Sequence, residues 1–187
     1  MKFFGLVGGF LLLTSMAFAG EGRTGIYASA GFGLDFGSVR GNVDYLGDYG
    51  GSTEVESEGL FGYTYDLKLG YSLISNLAIY AVGAGSLEAF NLSDESIDFL
   101  YLGGGASYWL PKNFYVGGSL GAGRFTFDKG YSEDFGFAFR ISAGKDWNLG
   151  KRGGIGVEAY YQRASVEDGA KEWKANLIGV KCNLSYR

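Results

Sequence analysis

Residues 63–72, YTYDLKLGYS, alternate strictly between large apolar side chains and polar or small ones. Successive side chains of an extended strand point to opposite faces, so this repeat of two predicts a β-strand with one apolar face. The apolar face holds Tyr63, Tyr65, Leu67, Leu69 and Tyr71, and the other face holds Thr64, Asp66, Lys68, Gly70 and Ser72. The polar face therefore carries two opposite charges, Asp66 and Lys68.

The same alternation continues along the chain and predicts eight strands of about 11 to 14 residues. A tilted strand that crosses a bilayer needs about 9 to 11 residues, whereas strands of globular proteins usually have about five or six. The length of the strands therefore favours a sheet that spans a membrane. The predicted strands are 25–36, 60–71, 77–87, 97–109, 114–127, 135–147, 154–166 and 173–186.

The connections between these strands alternate between short turns and longer, more polar segments. Most of the 20 acidic residues lie in the longer segments, whereas the short turns carry Lys112, Lys151 and Arg152 and no acid. Short turns on one side, longer loops on the other and an even number of strands are typical of bacterial outer-membrane barrels. The fold class predicted is therefore all-β: an eight-stranded, up-and-down antiparallel transmembrane β-barrel. The predicted loops are 37–59, 88–96, 128–134 and 167–172, and the predicted turns are 72–76, 110–113 and 148–153.

Residues 1–19 have the pattern of a cleaved signal peptide. A lysine precedes an apolar run over 3–13, and Ala17-Phe18-Ala19 forms a small-residue cleavage site. A membrane anchor is the alternative, but the run is short for a bilayer core of about 30 Å. We therefore expect export and a barrel domain over 20–187. Cys182 is the single cysteine, so an internal disulfide is impossible, and its place in strand eight predicts an outward, apolar environment.

The polar faces of the strands indicate what fills the barrel. The interior of an eight-stranded barrel is just wide enough for side chains, so a glycine on one strand makes room for a large residue on another. Charges in such a lumen must be paired to remain there. A packed, charge-balanced plug is the favoured interpretation, and a path for ions or protons is the alternative. The predicted lumenal charges are Asp66, Lys68, Arg140, Glu158 and Lys181, and the predicted large fillers are Tyr27, Tyr101, Phe125 and Tyr160.

Aromatic residues collect near both ends of the strands, as in the two aromatic girdles of membrane barrels. The predicted loop-side girdle comprises Phe36, Phe61, Phe90, Phe127, Phe135 and Trp173. The residues predicted to anchor the barrel at the membrane interfaces are Tyr108, Trp109, Phe114, Trp147, Trp173 and Tyr186.

Several kinds of chemistry are disfavoured by composition. The chain has no histidine and one cysteine, which removes the commonest general base and the nitrogen and sulfur ligands of zinc. We expect no catalytic site, no cofactor and no metal site of that type. A net charge of -4 disfavours binding of nucleic acid. The acidic segment 37–59 leaves weak binding of divalent cations open.

Together, the signal peptide, the eight amphipathic strands, the short basic turns and the ending VKCNLSY (180–186) resemble the small outer-membrane β-barrel families: OmpA-type barrel domains, OmpX-like proteins and related "porin family" surface antigens. Those families usually end in an aromatic residue, whereas here Arg187 follows Tyr186. The resemblance implies the outer membrane of a Gram-negative-type bacterium, periplasmic termini, contact with outer-membrane lipid and insertion by the barrel-assembly machinery. The expected role is structural, or an interaction of the loops with an extracellular or host ligand. The alternatives are a narrow pore and a soluble lipocalin-type barrel.

Overall fold

A computed structural model describes residues 24–45, 51–89, 96–127, 135–168 and 171–187. Eight strands follow one another and close into one antiparallel barrel, in which β1 pairs with both β2 and β8. This arrangement confirms the predicted fold class. Among the described residues, no helix is long and apolar enough to cross a membrane. The strands are β1 (Gly25–Tyr45), β2 (Gly51–Ile74), β3 (Leu77–Ala89), β4 (Ser96–Trp109), β5 (Phe114–Phe127), β6 (Gly136–Leu149), β7 (Gly153–Asp168) and β8 (Lys171–Tyr186), with a 3-10 turn at Pro111–Asn113.

The strand register gives the barrel a large stagger. Following the paired residues from Ser72 through β3 to β8 and then β1 returns to Gly62, ten residues away on the same strand. A stagger of this kind goes with strands tilted by about 35–45° to the barrel axis. The turns at 75–76, 110–113 and 150–152 share one end of the barrel with both ends of the described chain. We call this the turn end and the opposite one the loop end.

The first predicted loop, 37–59, is mostly strand. β1 and β2 remain paired from Ser38–Glu58 to Tyr45–Gly51, so the loop prediction is wrong for all but 46–50, which lie outside the described residues. Gly59 has a φ of +75° and is the extra residue of a β-bulge. Backbone pairing needs no apolar face, which is why a search for apolar alternation misses this extension.

The other predicted loops shorten as well. β3 and β4 extend into 88–96, and β7 and β8 extend into 167–172, so only 90–95 and 169–170 separate these strands. Segments 90–95, 128–134 and 169–170 lie outside the described residues, as does the predicted signal peptide 1–19.

The polarity of the barrel wall is the reverse of that in a soluble protein: the outer face is apolar, and the inner face carries charged side chains. The outer face exposes large apolar side chains, for example Phe32, Leu120 and Ile178, each more than 60% exposed. Cys182 is also exposed on this face. The inner face buries charged side chains from β1, β2, β6, β7 and β8. An exposed apolar surface of this extent marks a face that contacts a membrane or another protein.

Candidate functional site

The lumen contains the five charged residues predicted from the sequence. Asp66 and Lys68 project from β2, Arg140 from β6, Glu158 from β7 and Lys181 from β8, and all five are buried. Glu158 joins two lysines: its Oε2 lies 2.8 Å from the Nζ of Lys68, and its Oε1 lies 2.8 Å from the Nζ of Lys181. Since β2 and β7 are not neighbours in the sheet, the pair of Lys68 and Glu158 runs through the interior of the barrel.

Asp66 forms the second centre of the network. Its Oδ2 lies 2.9 Å from Nη1 of Arg140, and Lys181 pairs with the same oxygen. β2 and β6 are four strands apart in a ring of eight, so they face each other across the lumen. The ion pair between Asp66 and Arg140 therefore bridges the barrel from wall to wall.

Neutral side chains complete the coordination of these ions. The hydroxyl of Tyr115 donates to Oε2 of Glu158 at 2.8 Å, and Nδ2 of Asn183 donates to the oxygen of Tyr115 at 2.9 Å. Nε of Arg140 donates to Oε1 of Gln162 at 2.7 Å. Buried ions are tolerated when hydrogen bonds satisfy their remaining donors and acceptors, and this network meets that condition at several points.

A second layer of the lumen is organised around Asp35, an acid outside the predicted network. The hydroxyls of Tyr160 and Ser86 donate to its Oδ2 at 2.9 and 2.7 Å. The guanidinium of Arg140 lies 4.4 Å from the centroid of the Tyr160 ring, within the range of a cation–π interaction. Tyr160 therefore connects the ion-pair network to Asp35. The alternation of β1 places Asp35 on the same face as Tyr27, and this is the sequence signal that identifies it.

The turn end of the lumen is lined by aromatic rings and one further acid. Trp109 is buried, and its Nε1 donates to Oδ2 of Asp146 at 2.9 Å. The Trp109 ring lies 5.7 Å from that of Tyr27 and 5.8 Å from that of Tyr115, measured between centroids. The prediction that Trp109 is an interfacial anchor is wrong: Tyr108 and Trp109 are consecutive in a strand, so only one can face outward, and Tyr108 does.

Trp173 is the second predicted anchor that the structure contradicts. It packs against the apolar cluster inside the barrel, and its ring covers Gly41 of the neighbouring strand. Its position is on the same strand face as Lys181, so alternation turns both side chains inward. The loop-side girdle therefore lacks this tryptophan, although Phe36, Phe61 and Phe135 are exposed. The side chains of Phe90 and Phe127 lie outside the described residues.

The other four predicted anchors lie on the outer face near the turn end. Phe114 and Trp147 are about half exposed, and the Nζ of Lys145 lies 4.8 Å from the Phe114 ring centroid and 5.5 Å from that of Trp147. The hydroxyl of Tyr186 accepts a hydrogen bond from Nη1 of Arg152 at 3.0 Å. With Tyr108, these residues form an outward aromatic rim accompanied by cations.

Trp147 faces outward whereas Trp109 and Trp173 face inward, and this difference predicts which tryptophans contact lipid. In bilayers of brominated lipid, a variant that keeps only Trp147 should lose most of its fluorescence, because its ring faces outward. Variants that keep only Trp109 or only Trp173 should be quenched several-fold less, because their rings lie behind the barrel wall. Steady-state fluorescence at increasing fractions of brominated lipid measures this. Equal quenching of Trp147 and Trp109 would contradict the inward position of Trp109.

Toward the loop end the interior is apolar. The rings of Phe99 and Phe125 lie 5.0 Å apart between centroids, and both are buried. The lumen thus changes along its axis from an aromatic layer with one acid, through the ion-pair network, to an apolar core. Other buried members of this apolar layer are Val39, Leu60, Val166 and Leu177.

The lumenal glycines provide space for these rings. A Cβ on Gly179 would lie 2.5 Å from the Tyr160 ring, and one on Gly123 would lie 2.8 Å from the Phe99 ring. A Cβ on Gly144 would similarly meet the ring of Tyr115. The space beside these glycines is therefore filled by aromatic side chains.

Comparisons with known proteins support the fold. The structure is similar to the crystal structure of Neisserial surface protein A, with a TM-score of 0.57 and 13% identity, covering 86% of this chain and 96% of that chain. It is also similar to the outer membrane protein OprG from Pseudomonas aeruginosa (TM-score 0.49, 13% identity, 87% and 95% covered) and to Ail, the attachment invasion locus protein of Yersinia pestis (0.47, 16%, 84% and 97%). No protein-family model and no curated protein sequence matches the chain. The chain has the fold of the small eight-stranded outer-membrane barrels.

Proposed function

We propose that the protein is an integral outer-membrane barrel with a closed lumen, whose role is structural or lies in interactions at the loop end. The observation that carries the proposal is the ion pair between Asp66 and Arg140, which joins opposite walls of the barrel. Nearer the turn end, Lys68 and Glu158 form another ion pair through the interior. A solute would have to break paired, buried ions and then pass the apolar layer at the loop end.

The location in a membrane is supported by the outer face. Side chains such as Ile141 and Val180 are more than half exposed, and burying apolar area contributes about 25 cal/mol per Å². A soluble lipocalin-type barrel would instead need a polar outer face and an apolar ligand cavity. Lipid is therefore the proposed partner of the outer face, and the barrel-assembly machinery is the proposed partner during insertion.

We place the turn end in the periplasm and the loop end outside the cell. The basis is the arrangement of outer-membrane barrels, in which short turns are periplasmic and longer loops extracellular. In this orientation the long β1–β2 hairpin projects outward and would meet an extracellular or host ligand. The proposal assigns no catalytic activity and no cofactor to the chain.

Recordings from planar bilayers test the closed lumen. We expect the purified wild-type protein to show no steady unitary conductance, even at high protein load. The double variant Asp66→Ala/Arg140→Ala removes the wall-to-wall ion pair. If this pair blocks the passage of ions, the variant should show conducting events more often than the wild type. Steady conductance of the wild type would instead favour the narrow passive pore.

Cell fractionation with gel mobility tests the location separately. The protein should remain in the outer-membrane fraction, and the unboiled sample should migrate differently from the boiled one. Recovery in the soluble periplasmic fraction with unchanged mobility would contradict the membrane assignment and favour the lipocalin-type alternative.

A further inference from the structure

The charges inside the barrel point to a role for Arg187. Four acids and three bases are buried among the described residues, which leaves one negative charge in excess. Asp146 is the buried acid farthest toward the turn end, and it accepts a hydrogen bond from the neutral indole N–H of Trp109. A fourth cation at that end would balance the lumen. The acids are Asp35, Asp66, Asp146 and Glu158, and the bases are Lys68, Arg140 and Lys181.

Arg187 supplies that cation by folding back into the turn-end mouth. Its Cζ lies 4.4 Å from the centroid of the Trp109 ring, which is the distance of a stacked cation–π contact. The Nη1 and Nη2 atoms are buried, and the guanidinium interacts electrostatically with Asp146. A planar, weakly hydrated guanidinium suits the face of an indole better than a compact ammonium does.

The last turn of the barrel holds Arg187 in this position. The backbone N–H of Arg187 donates to the carbonyl oxygen of Arg152 at 3.0 Å. The same Arg152 donates through Nη1 to the hydroxyl of Tyr186. Tyr186 is thereby fixed on the outer face, and the next side chain turns inward.

The indole that carries this guanidinium is held in place by its neighbours. Trp109 provides the stacking face, the rings of Tyr27 and Tyr115 flank the indole, and the hydrogen bond to Asp146 fixes it. Aromatic rings combined with a carboxylate are the groups that recognise organic cations in desolvated sites. The aromatic side chains and the guanidinium nitrogens are buried, whereas Arg187 as a whole residue is partly exposed, so this residue spans the boundary between the lumen and solvent.

We propose that the turn-end mouth of the lumen is a binding cage for a guanidinium group, formed by Trp109, Tyr27, Tyr115 and Asp146 and occupied in cis by Arg187. A ligand that carries a guanidinium competes with Arg187 for the cage. The proposal goes beyond the closed lumen proposed above and does not depend on it, because binding at the mouth is measured without conductance.

The test uses folded protein in detergent, with Trp109 as the only tryptophan after Trp147→Phe and Trp173→Phe. In this background Arg187→Ala should give a saturable change in fluorescence when titrated with methylguanidinium. The parent with Arg187 should bind at least about tenfold more weakly, since its own guanidinium must leave first. Methylurea, which is neutral and of similar shape, should produce no saturable change.

Two further variants separate the cage from a general effect of charge. Lys151→Ala removes a neighbouring turn-end cation and should behave like the parent, whereas adding Asp146→Asn to Arg187→Ala should weaken binding at least about tenfold. Arg187→Gln provides the same test without shortening the side chain as far, should the alanine variant not fold. The proposal is overturned if neither Arg187→Ala nor Arg187→Gln allows the protein to bind methylguanidinium. It is also overturned if adding Asp146→Asn leaves that binding unchanged.

Discussion

Replacing Glu158 by glutamine should lower the free energy of unfolding by about 3–5 kcal/mol, the cost of leaving buried charges without their partner. The carboxylate pairs with both Lys68 and Lys181 and accepts from Tyr115. Glutamine keeps the volume and one acceptor but removes the charge, so Lys68 would lose its carboxylate partner and Lys181 would keep only Asp66. Urea unfolding in lipid vesicles, followed by tryptophan fluorescence, measures the change.

Asp98→Asn is the matched control for this variant. Asp98 is an exposed carboxylate on β4, so its loss should change stability by no more than about 1 kcal/mol. Combining Glu158→Gln with Lys68→Met should cost less than the sum of the two single changes, because each removes the partner of the other. Additive costs would mean that the pair of Lys68 and Glu158 contributes nothing as a pair.

Alternation at period two was sufficient to place the lumenal charges, because the direction of a side chain in a strand depends only on position parity. Asp66 and Lys68 lie two residues apart, and both turn inward. The connections among the five charges could not be predicted this way. Which residues meet across the lumen depends on the stagger of the barrel, and the stagger is a property of all eight strand pairs together.

The errors have equally specific causes. Proximity to strand ends predicts interfacial positions for Trp109 and Trp173, whereas their parity in the strands turns both side chains inward. The inward position of Arg187 cannot be predicted from the sequence pattern, since it depends on the contact of its backbone with Arg152. Apolar alternation does not predict the β1–β2 extension, because polar, acidic residues can pair as strands without an apolar face.

The glycine-rich composition predicts a large effect at Gly179, which lies beside the ring of Tyr160. Replacing it by valine should lower the free energy of unfolding by about 3 kcal/mol or more and weaken the folded band that unboiled protein gives on a gel. The new Cβ would lie 2.5 Å from the Tyr160 ring. That ring has little freedom to move, because its hydroxyl donates to Asp35 and its face contacts the guanidinium of Arg140.

Gly104→Val is the control, since it adds the same side chain to the outer face. A Cβ there would meet only the carbonyl oxygen of Tyr80, at 3.8 Å, so this variant should fold normally. Adding Tyr160→Ala to Gly179→Val removes the clash and should cost less than the sum of the two single effects. Normal folding of Gly179→Val would show that the Tyr160 ring can shift, and hence that the lumen contains space this packing does not account for.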